Sequence, residues 1–242
     1  YQQEDRDARA KVKETGIEPE TWFMVRTRLP GGWMNATQYR ALDDLATKYT
    51  YNQSLRITTR QGFQYHGVVK GNLHAVLKGV NDSLITTLAA CGDVGRNVMA
   101  SPAPLKDQAH QQLLELARKI STELLPKSTA YYEIWVNGEK HSDSNNGQGE
   151  EPFYGPAYLP RKFKVGIALP EDNSIDVYSQ DCGLIAVVRG DKIVGVNVLA
   201  GGGLGMTHRK ADTFARMALH IGYVDVEHAV EAMRTVAAIF RD

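Results

Sequence analysis

The chain has 242 residues, 43% of them hydrophobic, and its 28 Lys+Arg balance 28 Asp+Glu. It is long enough for one or two cored domains and has neither a global basic field for nucleic acid nor an acidic tail. Two cysteines far apart in sequence, Cys91 and Cys182, exclude a structural zinc or an iron–sulfur cluster held by four thiolates within this chain and read as two buried free thiols of a reducing compartment.

Residues 1–20 are nearly all polar and read as an N-terminal arm. Trp22–Leu29 reads as a strand, with Arg26 and Arg28 on the same parity as Trp22 and Met24. Pro30-Gly31-Gly32 ends it. Thr37–Tyr49 has the apolar stripe of a helix, capped by Asn35 or Thr37. The stretch Leu55–Gly67 (LRITTRQGFQYHG) then reads as strand, turn, strand. With period two, Arg56, Thr58 and Arg60 share one face, and Gln64 and His66 share a face beyond Gly62. Asn72–Val80 is a second helix. The order β-α-β-β-α predicts an α+β fold, with two helices on one face of an antiparallel sheet.

Further on, Ala89–Val98 is a glycine-punctuated loop carrying Arg96 and Asn97. Asp107 caps a helix running to Leu125. Tyr131–Val136 is a strand ending in an Asn137-Gly138 turn, and 142–151 is an exposed polar loop. Leu159–Val165 opens a second sheet with Lys162 and Lys164 on one face and Phe163 and Val165 on the other. Strands are expected at Ile175–Val177, Leu184–Val188 and Lys192–Leu199, the last two joined by a turn at Arg189-Gly190-Asp191. Two helices, about 209–221 and 225–240, follow Gly201–Gly205, the second capped by Asp225. No apolar run approaches the roughly 18 residues of a membrane span, and no signal peptide is present. Both ends look cut, as in an excerpt from a longer protein; a cytoplasmic location is expected, unless a targeting leader, such as a plastid one, once preceded Tyr1.

The basic groups Arg26/Arg28, Arg56/Arg60, Arg96 and Lys162/Lys164 all sit on apolar strands or tight loops. A buried charge without a partner is strongly unfavourable, and planar Arg forks match carboxylates and oxyanions. If the clusters converge they need a polyanionic ligand; if not, they are solvated sheet faces. A dinucleotide site at VNVLAGGGLGMTHR fails the GxGxxG spacing. Base stacking on Phe63 and Tyr65 fails because these have the opposite parity to Arg56 and Arg60. The seven histidines show no HExxH or comparable metal spacing.

Motifs in order along the chain, YQQEDRD, FMVRTRLPGG, LRITTRQGFQYHG, ACGDVGRNV, LPRKFK and NVLAGGGLG, resemble the N-terminal half of the siroheme sulfite/nitrite reductase family, in its assimilatory sulfite-reducing form. The resemblance implies a ferredoxin-like half-domain at 21–105 and the first part of a larger α+β siroheme-binding domain at 106–242. It implies that siroheme, with its eight carboxylates, contacts Arg56, Thr58, Arg60, Gln64 and His66. Asn97 and Gly201–Gly203 would shape the pocket. It further implies that Arg26, Arg96, Lys162 and Lys164 hold the sulfite oxyanion during its six-electron reduction to sulfide, and stabilise oxygens as they depart. The electron donor would be ferredoxin or a flavoprotein subunit. LPRKFK, FQYHG and GGGLG are of the sulfite type; nitrite reduction and a non-catalytic tetrapyrrole- or anion-binding module are the alternatives. The family's [4Fe–4S] ligands are absent from this chain and are expected in a missing C-terminal half.

Overall fold

The computed structural model describes residues 2–3, 15, 21–127, 133–136, 139–143 and 151–242. Most of the polar arm, the Asn137-Gly138 turn and residues 144–150 therefore lie outside the described residues.

Strands β1 (Gln2–Gln3), β2 (Trp22–Arg26), β3 (Leu55–Ile57) and β4 (Phe63–Val69) form an antiparallel sheet in the order β1-β2-β4-β3. Helices α1 (Ala36–Tyr49) and α2 (Leu73–Asp82) supply Leu42, Ala46, Val76 and Val80 to one core with Val25, Phe63, Tyr65 and Val68 from the sheet. Asn35 starts α1 with a reciprocal capping box: its side chain accepts from the Gln38 amide, and the Gln38 side chain accepts from the Asn35 amide. Tyr65 is fully buried and donates its hydroxyl to the Leu42 carbonyl at 3.1 Å. The expected β-α-β-β-α half-sandwich is what forms.

A second sheet combines β5 (Met99–Ala100), β8 (Val165–Ala168), β9 (Cys182–Arg189), β10 (Lys192–Ala200) and β11 (Leu219–Asp225) in the order β11-β10-β9-β8-β5. The β8 pairings are parallel and those of β10 antiparallel. Helices α3 (Gln108–Glu123) and α4 (Ala229–Arg241) cover one face through Leu113, Ile120, Met233 and Ala237. Ile175, Val177 and Ala218 cover the other against Met99 and Leu199. A small hairpin, β6 (Glu133–Val136) and β7 (Glu139–Asp143), stands apart. The first core ends at Ile85 and the second begins at Ala89, and Val94, Val98 and Ala100 pack with the second. Gly190, at φ 64, makes the β9–β10 turn where the Arg-Gly-Asp triplet was expected to turn.

Three expectations are corrected. Ile175–Val177 is no strand: Asp176 sits at φ 51, and Val177 donates its amide to the Asn173 side chain at 2.8 Å instead of to a neighbouring strand. Residues 209–218 form no helix, and Leu219–Asp225 is the edge strand β11, because β10 offers its free edge to this segment. Asp225 does not cap with its side chain; its carboxylate accepts from the Tyr223 hydroxyl at 3.0 Å, and a short 3-10 turn precedes α4. The thiols also differ from expectation, since Cys182 is buried but Cys91 is exposed.

Candidate functional site

A cleft of about 610 Å³ lies at the seam of the two units, where β2, the turn after β3, the loop before β5 and the strand entering β8 meet. Arg26, Thr58, Arg60, Gln64, Arg96, Asn97, Lys162 and Lys164 line it. Eight of the ten residues singled out from the sequence thus converge. Arg56 pairs with Gln64 across β3–β4 but is exposed and outside the lining, and His66, also outside it, lies 2.9 Å from the Gln64 side chain.

Arg60 arrives by a route that strand parity does not give. β3 stops at Ile57, which is 78% exposed, and residues 58–62 turn back on themselves. Thr58 donates its amide to Gly62 O at 2.9 Å, Gln61 donates to Thr58 O at 3.0 Å, and Gln61 takes φ 54. The turn swings the Arg60 guanidinium across the seam, where it donates to Asn97 O at 3.0 Å, Val165 O at 3.3 Å and the Gln180 side chain. Burial pulls its pKa down to about 10, Asp181 opposing and Arg96 adding to the fall. Asn97 is buried and holds the turn: its oxygen accepts from Leu29 N at 2.8 Å, and its amide donates to Leu29 O at 2.7 Å and Arg60 O at 2.9 Å.

Arg26 and Arg96 converge on one carbonyl. Both donate to Ala90 O, at 3.2 and 3.3 Å, and Arg26 also reaches Cys91 Sγ at 3.6 Å. Arg96 adds a bond to Gly92 O at 2.8 Å. Burial lowers the Arg96 pKa, an effect the Cys91 side opposes and Arg26 reinforces. Gln64 completes the setting of Arg26: its side-chain amide touches both Arg26 and His66, and with the oxygen assigned to the guanidinium, Oε1 accepts from Arg26 Nε at 2.8 Å and Nη2 at 2.7 Å, while Nε2 donates to His66 Nε2 at 2.9 Å. The amide takes this orientation because a guanidinium can only donate.

Lys162 and Lys164 flank Phe163, whose ring is fully buried, so alternation sends both ammonium groups to the cleft. The Lys164 backbone amide is fixed by Asp181 at 2.7 Å. Burial lowers the Lys164 side-chain pKa; Asp181 opposes, and Arg60, Arg161 and Lys162 push the same way as burial. Asp181 is itself paired with Arg161. Among the described residues, no carboxylate lies within ion-pair distance of Arg26, Arg96, Lys162 or Lys164. Cations that face one cavity without an ion-pair partner, Arg96 and Lys164 partly desolvated and opposed among carboxylates only by the fields of Asp93 and Asp181, favour an anionic ligand.

The expected pairing of Arg28 with Arg26 is corrected. Thr27 still donates its amide to Phe63 O at 2.9 Å, and beyond it the chain leaves β4 and Arg28, only 3% exposed, turns into the seam. There it donates to Ser121 Oγ at 2.9 Å, Ser121 O at 3.0 Å, Ala89 O at 3.1 Å and Gly95 O at 2.6 Å.

Sequence reasoning missed the wall formed by Ser174, Ile175, Asp176, Ser179 and Gln180. Buried Gln180 ties Arg60 to this wall, its amide donating to Ile175 O at 3.0 Å and Asp176 O at 3.2 Å. The Asx-rich run Glu171–Asp176 signals a turn, but nothing in it signals a cleft. Gly202, from the triple glycine, lies outside the lining and packs against this wall's backbone, donating to Gln180 O at 3.0 Å. Among the described residues no three His, Cys, Asp or Glu gather as a metal site.

A family model described as the nitrite/sulfite reductase ferredoxin-like half domain matches residues 16–83, and one described as the nitrite and sulphite reductase 4Fe-4S domain matches residues 115–242. The chain is 49% identical over its full length to a protein of Staphylococcus haemolyticus named sulfite reductase (NADPH) hemoprotein beta-component. It is 48% identical to proteins of the same name in Anoxybacillus flavithermus and Xanthomonas euvesicatoria. It spans 42% of the length of these relatives. The fold is shared with the NirA protein of Mycobacterium tuberculosis, with TM-score 0.63, 23% identity, and 91% of this chain and 34% of that chain covered. It is shared also with dissimilatory sulfite reductase I, with TM-score 0.59, 10% identity, and 90% and 63% covered.

Proposed function

Because this chain belongs to the nitrite and sulphite reductase family, we propose that it is the N-terminal part of a sulfite reductase that converts sulfite to sulfide with six electrons. The observation that carries the reading is the seam cleft, where Arg26, Arg96, Lys162 and Lys164 face one cavity without carboxylate partners among the described residues. The names of the relatives support sulfite over nitrite, and the motifs LPRKFK and FQYHG support the same choice.

The cleft suits siroheme in its donor chemistry. A macrocycle fringed with carboxylates needs many fixed cationic and N–H or O–H donors, and Arg60, Thr58 and Gln64 supply them on one wall. Arg56 and His66 stand just outside the lining and would meet the periphery of the group. When bound, siroheme supplies the iron at which the substrate is reduced, and a [4Fe–4S] cluster passes electrons to it. The chain has only two cysteines, so cluster ligands come from the rest of the full-length protein. This part alone is inactive.

Within this reading, Arg26 and Arg96 grip the oxyanion from the carbonyl-anchored side, and Lys162 and Lys164 from the opposite strand. Each cation about 4 Å from an oxyanion contributes on the order of 4 kcal/mol at an effective dielectric near 20. Together they offset the several kcal/mol lost when a small anion is stripped of water. As oxygen departs, the ammonium groups of Lys164 and Lys162 are placed to hand over protons; burial of Lys164 weakens its hold on its own. Electrons arrive from a flavoprotein subunit, in keeping with the NADPH-linked names of the relatives, or from ferredoxin.

The test uses full-length, siroheme-loaded enzyme with a reduced viologen as donor. Sulfide should form from sulfite, and Arg96→Ala or Lys162→Ala should keep the siroheme absorbance while losing most turnover. No sulfide from the wild type refutes the function, and loss of the chromophore moves these two residues to cofactor binding. Faster turnover of nitrite in the same assay would favour the nitrite-reducing alternative.

A further inference from the structure

We propose that His66 is a positioning residue for Arg26, acting through the side-chain amide of Gln64, so that the placement of Arg26 follows the protonation state of His66. The inference rests on the reading of Arg26 as a substrate-holding group.

The argument is one of donors and acceptors. Arg26 offers only N–H groups. Its Nε and Nη2 are both satisfied by Gln64 Oε1, at 2.8 and 2.7 Å, and its Nη1 goes to Ala90 O at 3.2 Å. Two bonds to one oxygen on one edge and a third from Nη1 fix the plane of the guanidinium. With its oxygen committed, Gln64 can show His66 only its NH2 group, 2.9 Å from Nε2. His66 Nε2 must then carry the lone pair, and the ring is the neutral tautomer protonated at Nδ1.

Protonation at Nε2 breaks this chain of bonds. An N–H would face an NH2 group, and the relief is for the Gln64 amide to turn over and accept from His66. Its NH2 would then face Arg26, where two charge-assisted bonds become a contact between donors. Backbone register fixes the three residues relative to one another: Arg26 and Arg56 both pair with Gln64 across the sheet, and His66 lies two residues on, on the same face. Among the described residues, the charged groups facing His66 are Arg26 from β2 and Arg56 from β3. Burial first, then Arg56 and Arg26, lower its pKa below the ordinary histidine value. The neutral, Arg26-holding arrangement is therefore the one present at neutral pH, and it is lost as pH falls through the lowered value.

The experiment measures kcat/KM for sulfite against pH in full-length, siroheme-loaded wild type, Gln64→Glu and His66→Gln, taken as ratios to wild type so that the titration of sulfite cancels. The carboxylate introduced by Gln64→Glu accepts from Arg26 whatever the state of His66, and the amide introduced by His66→Gln does not titrate. Both ratios should therefore rise as pH falls from about 8 through the lowered His66 pKa, approaching about tenfold once the ring is protonated, the loss expected for a charge-assisted bond. Flat ratios overturn the proposal, because a merely structural role shifts rate equally at all pH values. Variants that lose siroheme absorbance with an unaltered pH profile overturn it too, by making these residues cofactor ligands. A second readout needs no turnover: neutron crystal structures of the wild type above and below that titration should show Gln64 Oε1 on Arg26 only at the higher pH. If the enzyme made no sulfide the functional reading would fail, while this comparison would still decide whether the relay exists.

Discussion

Replacing Arg28 by methionine should cost about 3–5 kcal/mol of folding stability, the range for removing one partner from a buried charged network. The guanidinium is 3% exposed and donates four bonds, to Ser121 Oγ, Ser121 O, Ala89 O and Gly95 O. Bonds from a charged donor are worth about 1.5–3 kcal/mol each, so four gross about 6–12 kcal/mol. Taking the charge from water removes several kcal/mol of that, the same burial that pulls the Arg28 pKa down to about 10. Methionine fills much of the space but leaves the acceptors unpaired. The assay is urea denaturation followed by circular dichroism, with Arg26→Met as the control. Arg26 is half-buried in the cleft, and its loss should cost under about 1 kcal/mol. The sign of the pH dependence is also fixed. The folded pKa lies below the unfolded one, so the burial penalty is constant at lower pH and is relieved only as pH rises beyond about 10. Stability between neutral and mildly alkaline pH should not move on account of this residue. An Arg28→Met protein within about 1 kcal/mol of wild type, or an Arg26→Met protein destabilised just as much, would refute the division of the two arginines into seam and cleft.

The other predictions concern the cleft walls. Gly202→Ala would drive a methyl into the carbonyl oxygens of Tyr178 and Gln180, both backbone atoms; the full-length enzyme should retain less siroheme per protein by absorbance, and normal retention would show that the wall can shift. Gln180→Leu removes the acceptor of Arg60 and should lower siroheme content while leaving α3 and the second core intact by circular dichroism; unchanged content would mean that the Asn97 and Val165 carbonyls suffice. The lowered Lys164 pKa means its proton is lost at lower pH than from an ordinary lysine. The alkaline limb of sulfite turnover should therefore move to higher pH in Lys164→Arg, and coincident limbs would exclude Lys164 as the titrating group.

Much of this was legible from residue order. The capping signal at Asn35 and Gln38, the alternation through Phe63–Val69 and the turn at Gly190 are local features, and local features are what a sequence displays. The convergence of Arg26, Arg96, Lys162 and Lys164 was legible only through motif order, since no spacing carries a distance across 138 positions. The failures share one cause. Residues 209–221 have helix-forming composition, yet pairing with β10 captures Leu219–Asp225 as a strand; the alternation of Leu219, Ile221 and Tyr223 was the signal to weigh against it. Arg28 shares parity with Arg26, and only the departure of the chain from β4 separates their fates. Thr58 and Arg60 do reach the cleft, but by a turn rather than by a continued strand.

The seam bears on how this protein can be recombined with its relatives. The gap between Ile85 and Ala89, where one core ends and the next begins, looks like a natural crossover point for chimeras. It is a poor one. Arg28 is bonded to Ser121, Leu29 to Asn97, and Gln61 exchanges two side-chain bonds with the Ala100 backbone, at 2.6 and 3.0 Å. Every one of these pairs straddles the gap, so a library cut there would inherit mismatched halves of the same fastening. Parents that differ at Arg28 or Ser121 should yield folded chimeras mainly when both come from one parent, and parents that lack Gln61 or Asn97 would lose those backbone ties from whichever side they contribute.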